Sequence, residues 1–341
     1  MGLPTPRADS APFDSFFDYS TNVQTTTGNN YGAIAILTFL KGIQAMRIRV
    51  ISVPYRYDDF ETGLGLGPQA LLDSGLEQRL AKAGVELTGI DVARLDAADR
   101  DPHRTAVNIG RLGANVAYLI AAAQEDGAAS LVLAGDDTAA IGIISGLQAA
   151  SESAAPIGVV WLDAHGDFNT PETTYSGILA GMPLAILAGL AGPLWREAAG
   201  LASTIPTARI VIAGVRDLDE KEESLLRSTS AKMITARELR ATNAFPEAVA
   251  ALASVCSLIS LHVDLDVLDP HLVPSASTPA ADGLSLLEAG AAIETALATG
   301  KVTSIAFSSL NPGGGALGLR SVQSALSLIE TAVGAWSRAS I

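Results

Sequence analysis

Cysteine is nearly missing from this chain. Cys256 is the single one among 341 residues, so no intrachain disulfide can close and no secretory disulfide framework is available. Basic side chains are also scarce: 22 Lys and Arg stand against 36 Asp and Glu, a formal charge of -14. That balance argues against nucleic acid and anionic membranes as partners, because both recruit basic patches. The apolar stretch at residues 33–40 falls well short of the roughly 20 residues that span a bilayer. The first residues lack the basic start and small-residue cleavage pattern of an export signal, so the expected location is cytoplasmic. Two further motifs are missing. Gly63-Leu64-Gly65-Leu66-Gly67-Pro68 does not fit Gly-x-Gly-x-x-Gly and no Lys-Ser/Thr follows it, which argues against a nucleotide-binding loop. No nucleophile elbow supports a Ser-His-Asp arrangement.

What the chain does contain is apolar and regularly patterned. Hydrophobic residues make up 48% of it, ample for a sizeable core. The continuous apolar run 157–162 reads as a strand buried on both faces of a sheet; 47–54 reads as a first strand, and the largely apolar stretches 129–134, 208–214, 257–261 and 302–307 as further strands. Helical stretches lie between them; one follows Pro68, which suits a helix start, and another covers 107–124. Strands alternating with helices predict an α/β fold, a three-layer, doubly wound parallel sheet. No internal repeat or mid-chain linker divides it. Residues 46–341 are therefore expected to form one domain. It follows an N-terminal arm, 1–45, that either packs on this or a neighbouring subunit or is loosely attached.

The informative residues follow two of the runs. Asp163, His165 and Asp167 recur at every second position after 157–162. On an extended backbone they would leave one face within about 7 Å, at roughly 3.3 Å per residue. One imidazole among carboxylates suits Mn, Ni, Co or Zn better than Ca or Mg. Asp264 and Asp266 make a second such pair behind 257–261 and before Pro270. His262 shares their face at the same spacing, open to a supporting or a ligating role. A single Asp-x-His-x-Asp reads equally well as a polar loop after a strand. Two of them at strand ends favour a metal centre, and the carboxyl ends of strands are where open α/β sheets bind ligands.

These segments carry a resemblance. Asp163-Ala164-His165-Gly166-Asp167 with Asn169-Thr170, Thr174-Tyr175-Ser176-Gly177, and His262-Val263-Asp264-Leu265-Asp266 through Asp269-Pro270 are similar to the signature segments of the ureohydrolase superfamily, which includes arginases, agmatinases and formiminoglutamases. The resemblance runs from about Met46 to near the C-terminus. It implies the arginase-type fold and one or two divalent ions per chain, Mn or Ni, which activate water for attack on a guanidinium carbon. Carried over by position, Asp163 and Asp264 would bridge the ions, His165 and Asp266 would hold one, and Asp167 would help hold the other. Asn169, Ser176 and Asp219, the last in a segment shared with Asp217, fall where the far end of the substrate is recognised. Trimers or hexamers are implied as well.

The chain departs from that pattern at three places. Where the family has Gly-Gly-Asp-His, this sequence has Ala134-Gly135-Asp136-Asp137, so the sixth ligand is expected to be Asp137. Its extra negative charge opposes deprotonation of water at the centre. Ala180 stands where arginases carry a histidine that moves protons, and Ser309 where the family keeps a Glu that pairs with the guanidinium. A neutral hydroxyl does not replace a bidentate carboxylate contact, so no catalytic acid-base residue is assigned. Three readings follow. One is a hydrolase of C-N bonds in guanidine, biguanide or other amidine compounds, acting alone or as a subunit. Another is a non-catalytic paralogue in a homo- or hetero-oligomer with a related active subunit. The third is a small-molecule binding protein without turnover.

Overall fold

The structure is a computed structural model that describes residues 45–151 and 155–339. The expected arm, 1–45, lies outside the described residues except for its last position. Eight strands form one parallel sheet: β1 (Arg47–Val53), β2 (Glu86–Val92), β3 (Ala129–Ala134), β4 (Ile157–Leu162), β5 (Ile210–Val215), β6 (Lys232–Thr235), β7 (Leu258–Asp264) and β8 (Val302–Ser308). Their order across the sheet is β2-β1-β3-β8-β7-β4-β5-β6. The chain leaves the middle after β3, builds the far edge through β4, β5 and β6, and returns so that β7 and β8 fill the gap. The expected α/β, doubly wound parallel sheet is what the chain forms.

Helices complete the outer layers: α1 (Gly67–Asp73), α2 (Leu76–Lys82), α3 (Thr105–Glu125), α4 (Ala140–Ala150), α5 (Pro183–Leu187), α6 (Pro193–Ala198), α7 (Glu220–Arg227), α8 (Ala236–Ala241), α9 (Ala244–Val255), α10 (Leu286–Leu297) and α11 (Ala316–Ala339). Strand side chains alternate between two cores. Val50, Leu131, Val160, Val211 and Leu261 pack toward α1, α2, α9, α10 and α11. Ile51, Val132, Val159, Trp161 and Ile212 pack toward α3 to α6. Every residue of β4 and β5 is buried, as continuous apolar strands covered on both faces should be. Each large aliphatic side chain so buried contributes roughly 1.5–3 kcal/mol. β2, at one edge, is only half-buried along its length, and β6, at the other, has four residues. Those two strands escaped the sequence reading because neither carries a continuous apolar run.

Capping fixes some helix starts. Ser285 Oγ accepts the Glu288 N–H (3.2 Å) while Glu288 Oε2 accepts the Ser285 N–H (2.8 Å), opening α10 with a reciprocal pair. α3 is the one helix among the described residues long and apolar enough to cross a membrane, but its apolar side is packed against α4 and α6. The contact with α4 is unusually close. A Cβ on Gly142 would lie 2.5 Å from the Gly113 carbonyl oxygen and 2.8 Å from its Cα, so backbone touches backbone there. Because backbone cannot yield as a side chain can, Gly142→Ala is expected to destabilise the fold by about 1–3 kcal/mol. Urea unfolding checks this, and an unchanged midpoint contradicts it.

Candidate metal centre

The four central strands end side by side, and their ends carry the site. Paired residues place the termini level: Ser308 of β8 opposite Asp264 of β7, and Leu162 of β4 opposite Val263. After β3 the chain turns through Gly135, where a Cβ would meet the Tyr55 carbonyl oxygen at 2.0 Å, so only glycine fits. Asp136 then caps a short 3-10 turn. Its Oδ1 accepts from Thr138 N (3.0 Å) and Oγ1 (2.5 Å), and its Oδ2 from Tyr57 N (2.7 Å). Burial, reinforced by the neighbouring charge of Asp137 and opposed by the Thr138 and Tyr57 hydrogen bonds, pushes the Asp136 carboxyl up to about 6.

The segment after β4 is not extended. The strand ends at Leu162, and Asp163 to Asp167 form a loop with Asp167 in the left-handed region at φ 46°. Asp266 likewise lies in the 3-10 turn Leu265–Val267 beyond β7. The alternation expected of an extended backbone therefore does not gather these ligands. Turns do so, because carboxylates that accept local N–H groups stabilise turns. Asp163 Oδ1 accepts the His165 N–H (2.7 Å), and Asp264 Oδ1 accepts the Asp266 N–H (2.7 Å).

Two trios result. Asp163, His165 and Asp266 offer ligand atoms that all lie within 4.8 Å of one another, and so do Asp137, Asp163 and Asp167. Asp163 belongs to both, the position expected of a bridging ligand. Asp264 belongs to neither but faces the same cavity. The His165 ring lies 3.2 Å from Asp266 Oδ2 and 3.4 Å from Asp163 Oδ1 through Nδ1. Burial works against its protonation, but hydrogen bonds and charge from these two carboxylates outweigh it and raise the imidazole to about 11. Burial first, then repulsion from the neighbouring aspartates, raises Asp167 and Asp264 well above the usual carboxylate range. Asp167 Oδ2 is buried with no hydrogen-bond partner among the described residues. Crowding thus makes these carboxylates hold protons that a cation would displace, and Asp167 keeps a lone pair that a cation would satisfy. Hard oxygens and one imidazole fit a divalent ion.

The centre opens into a cavity of about 270 Å³. Each residue expected at the substrate end faces it: Asn169, Ser176, Asp219 and Ser309. Asp219 Oδ2 accepts from Asn169 Nδ2 (3.1 Å) and Tyr175 N (3.2 Å). Ser309, in the left-handed region at φ 64°, donates to Asp137 Oδ2 at 3.1 Å. Asp217 lies farther out, its Oδ2 4.0 Å from His165 Nε2.

The sequence reading missed three contributors. Tyr57, left-handed at φ 59°, lines the cavity beside Ala180. Burial raises its phenol, while the amides of Leu179 and Ala180 work in the opposite sense. Arg56 stands next to it on the wall. Glu222 of α7 accepts the Phe168 N–H at 2.8 Å, and burial pushes its carboxyl up to about 7. Glu222 lies three residues beyond Asp219, one helical turn away, and that spacing was a usable signal. An aromatic residue in the left-handed region had none.

Fold and site define a class: a doubly wound α/β protein with an acidic, metal-suited centre where its middle strands end. The model of the arginase family matches residues 46–334. Relatives include the arginase of Bacillus caldovelox, 31% identical over 274 residues, 78% of this chain and 91% of that protein. The arginase of Bacillus subtilis (strain 168) is 32% identical over 271 residues, 78% of this chain and 90% of that one. The native structure of the Bacillus caldovelox arginase at pH 5.6 aligns with a TM-score of 0.75 at 30% identity, over 85% of this chain and 98% of its own. The chain belongs to the arginase family of metal-dependent ureohydrolases.

The Glu222 shift has a measurable consequence in the metal-stripped protein. An unfolded glutamate loses its proton near 4.5 and the folded one near 7, so the folded chain binds more protons between those values. Stability is then lost as pH rises from about 4.5 to about 7, and the penalty is constant above. Relative to wild type, Glu222→Gln is expected to gain stability across that interval. A wild-type-to-variant difference in unfolding midpoint that stays flat from pH 4.5 to 7 contradicts the assignment.

Proposed function

We propose that this chain is a metal-dependent hydrolase of a linear C-N bond in a guanidine, biguanide or other amidine compound. The observation that carries the reading is the pair of ligand trios sharing Asp163 at the centre of the sheet. Asp163, His165 and Asp266 would hold one ion, Asp137, Asp163 and Asp167 the other, with Asp264 facing both. Two Mn or Ni ions per chain suit the donor set. Divalent ions held there supply a Lewis acid that brings the pKa of water toward neutrality.

The chain's own residues then set orientation. Asp219, steadied by Asn169 and Tyr175, accepts an N–H or ammonium group at the far end of the substrate. Ser309 turns its hydroxyl proton to Asp137 and leaves lone pairs for a substrate N–H, a neutral contact weaker than a carboxylate on a guanidinium. Leu64, Tyr57 and Ile178 line the wall and exclude water from the bound C-N unit. At Ala180 nothing carries a proton to the leaving nitrogen, so arginine itself is expected to be a poor substrate.

A second reading is favoured by Ala180 and Ser309 together. The chain would be one subunit of a trimer or hexamer, mixed with a related active subunit that keeps the missing histidine and glutamate.

Two measurements test these readings. Digestion and mass spectrometry of protein grown with Mn and Ni is expected to find two metal equivalents per chain. Asp163→Asn should remove both and Asp266→Asn one; one equivalent or none in the wild type sinks the independent hydrolase. In a screen of guanidines and biguanides, Ala180→His is expected to raise kcat on a cleaved compound by about tenfold or more, the scale of a general acid-base group, with KM little changed. No gain would show that proton transfer is not what the chain lacks.

A further inference from the structure

Asp137 is held from behind by three side chains. Its Oδ1 receives the Ser308 hydroxyl at 2.6 Å and lies 2.8 Å from His262 Nε2, and its Oδ2 receives the Ser309 hydroxyl at 3.1 Å. Ser308 Oγ and His262 Nε2 are themselves 2.9 Å apart. The Ser308 proton goes to Asp137, so the imidazole N–H is shared between that carboxylate and the serine oxygen. His262 Nδ1 is buried with no partner among the described residues. A neutral ring protonated on Nε2 leaves only a lone pair unmatched there, whereas a proton on Nδ1 would strand a buried donor, the costlier arrangement.

The ring is fixed on its face as well as its edge. Trp161 stacks on it with centroids 3.6 Å apart and planes 6° from parallel, and Trp161 Nε1 donates to Asp163 Oδ2 at 2.8 Å. Two stacked rings on neighbouring strands thus hold two neighbouring carboxylates, Asp137 and Asp163. Both lone pairs of Asp137 Oδ1 are used, while Oδ2 keeps one free.

We propose that His262 is a positioning residue for the metal centre, holding Asp137 through Oδ1 so that Oδ2 is presented to the ion shared with Asp163 and Asp167. In most metal sites a ligating histidine is backed by a carboxylate. Here the order is reversed, and a ligating carboxylate is backed by a histidine. The donors draw charge from Asp137 and offset the excess that a fifth carboxylate brings. The inference rests on the proposed metal reading, and it makes that ion's site an all-oxygen one, suited to Mn over Ni or Zn.

The test uses the full chain, stripped with chelator and titrated with Mn by calorimetry and electron paramagnetic resonance. His262→Phe keeps a ring against Trp161 but removes the donor; His262→Gln keeps a donor. The Phe variant is expected to bind the first Mn as wild type does and the second about 10- to 100-fold more weakly. The spin-coupled pair signal at two equivalents should give way to an isolated-ion spectrum, and the Gln variant should recover most of the loss. Ser308→Ala should weaken the same ion by a smaller factor, and it decides the matter if the Phe variant does not fold. Two ions bound as in wild type by Phe, or by Ser308→Ala in its place, overturn the proposal; so does equal loss of both ions. A wild type that binds two Mn but cleaves no amidine removes the hydrolase reading and leaves this one intact. A wild type that binds no Mn removes both.

Discussion

Five carboxylates crowded at the end of a buried sheet repel one another, and the local structure is arranged to contain that repulsion. Asp137, Asp163, Asp167, Asp264 and Asp266 are each at most 5% exposed. Charges so close in a medium less polarisable than water interact several times more strongly than at a surface. The chain answers with directed donors. Asp163 takes the His165 amide and the Trp161 indole, and Asp264 takes the Asp266 amide. Asp266 takes the Ala164 amide and the Thr278 hydroxyl, and Asp137 takes three side chains. Asp167 is the least provided for, and one of its oxygens has no partner. Each donor is also a positional restraint, so the same contacts that temper the charge set where the ligand atoms stand.

The strand order makes this crowding achievable. β3, β8, β7 and β4 are consecutive across the sheet, so residues from four remote parts of the sequence end within one small region at the carboxyl edge. That is where a doubly wound sheet leaves its loops free to form a crevice. Burial of the strands on both faces gives those loops a rigid base, and helix α4, starting right after the Asp137 turn, carries one ligand into the packing against α3.

Much of this was legible in the sequence because it is carried by continuous patterns. The run of β4 is an unbroken apolar stretch and those of β3 and β8 are largely apolar, and the Asp-x-His-x-Asp and Asp-x-Asp spacings stand directly behind two strands. What was not legible depends on contacts between remote residues or on unusual backbone. The ligand segments were read as extended, yet Asp167 adopts a left-handed conformation that sequence spacing does not encode. β2 and β6 are edges and lack the buried strand's composition. Tyr57 reaches the cavity by a left-handed turn that aromatic residues seldom adopt. His262 was visible as a neighbour of Asp264, but its pairing with Asp137 spans 125 positions and required the strand order to be known.

The position of β8 bears on how the molecule comes to exist at all. It is the last strand among the described residues and lies between β3 and β7, so a chain without it has a gap in the middle of its sheet. Two apolar strands then present unpaired edges, the surface on which chains aggregate. Contacts across such sequence distances form slowly. During synthesis, therefore, the candidate centre still lacks Ser308 and Ser309 when its five aspartates have already been made. The sheet that places those aspartates side by side is complete only once β8 lies between β3 and β7.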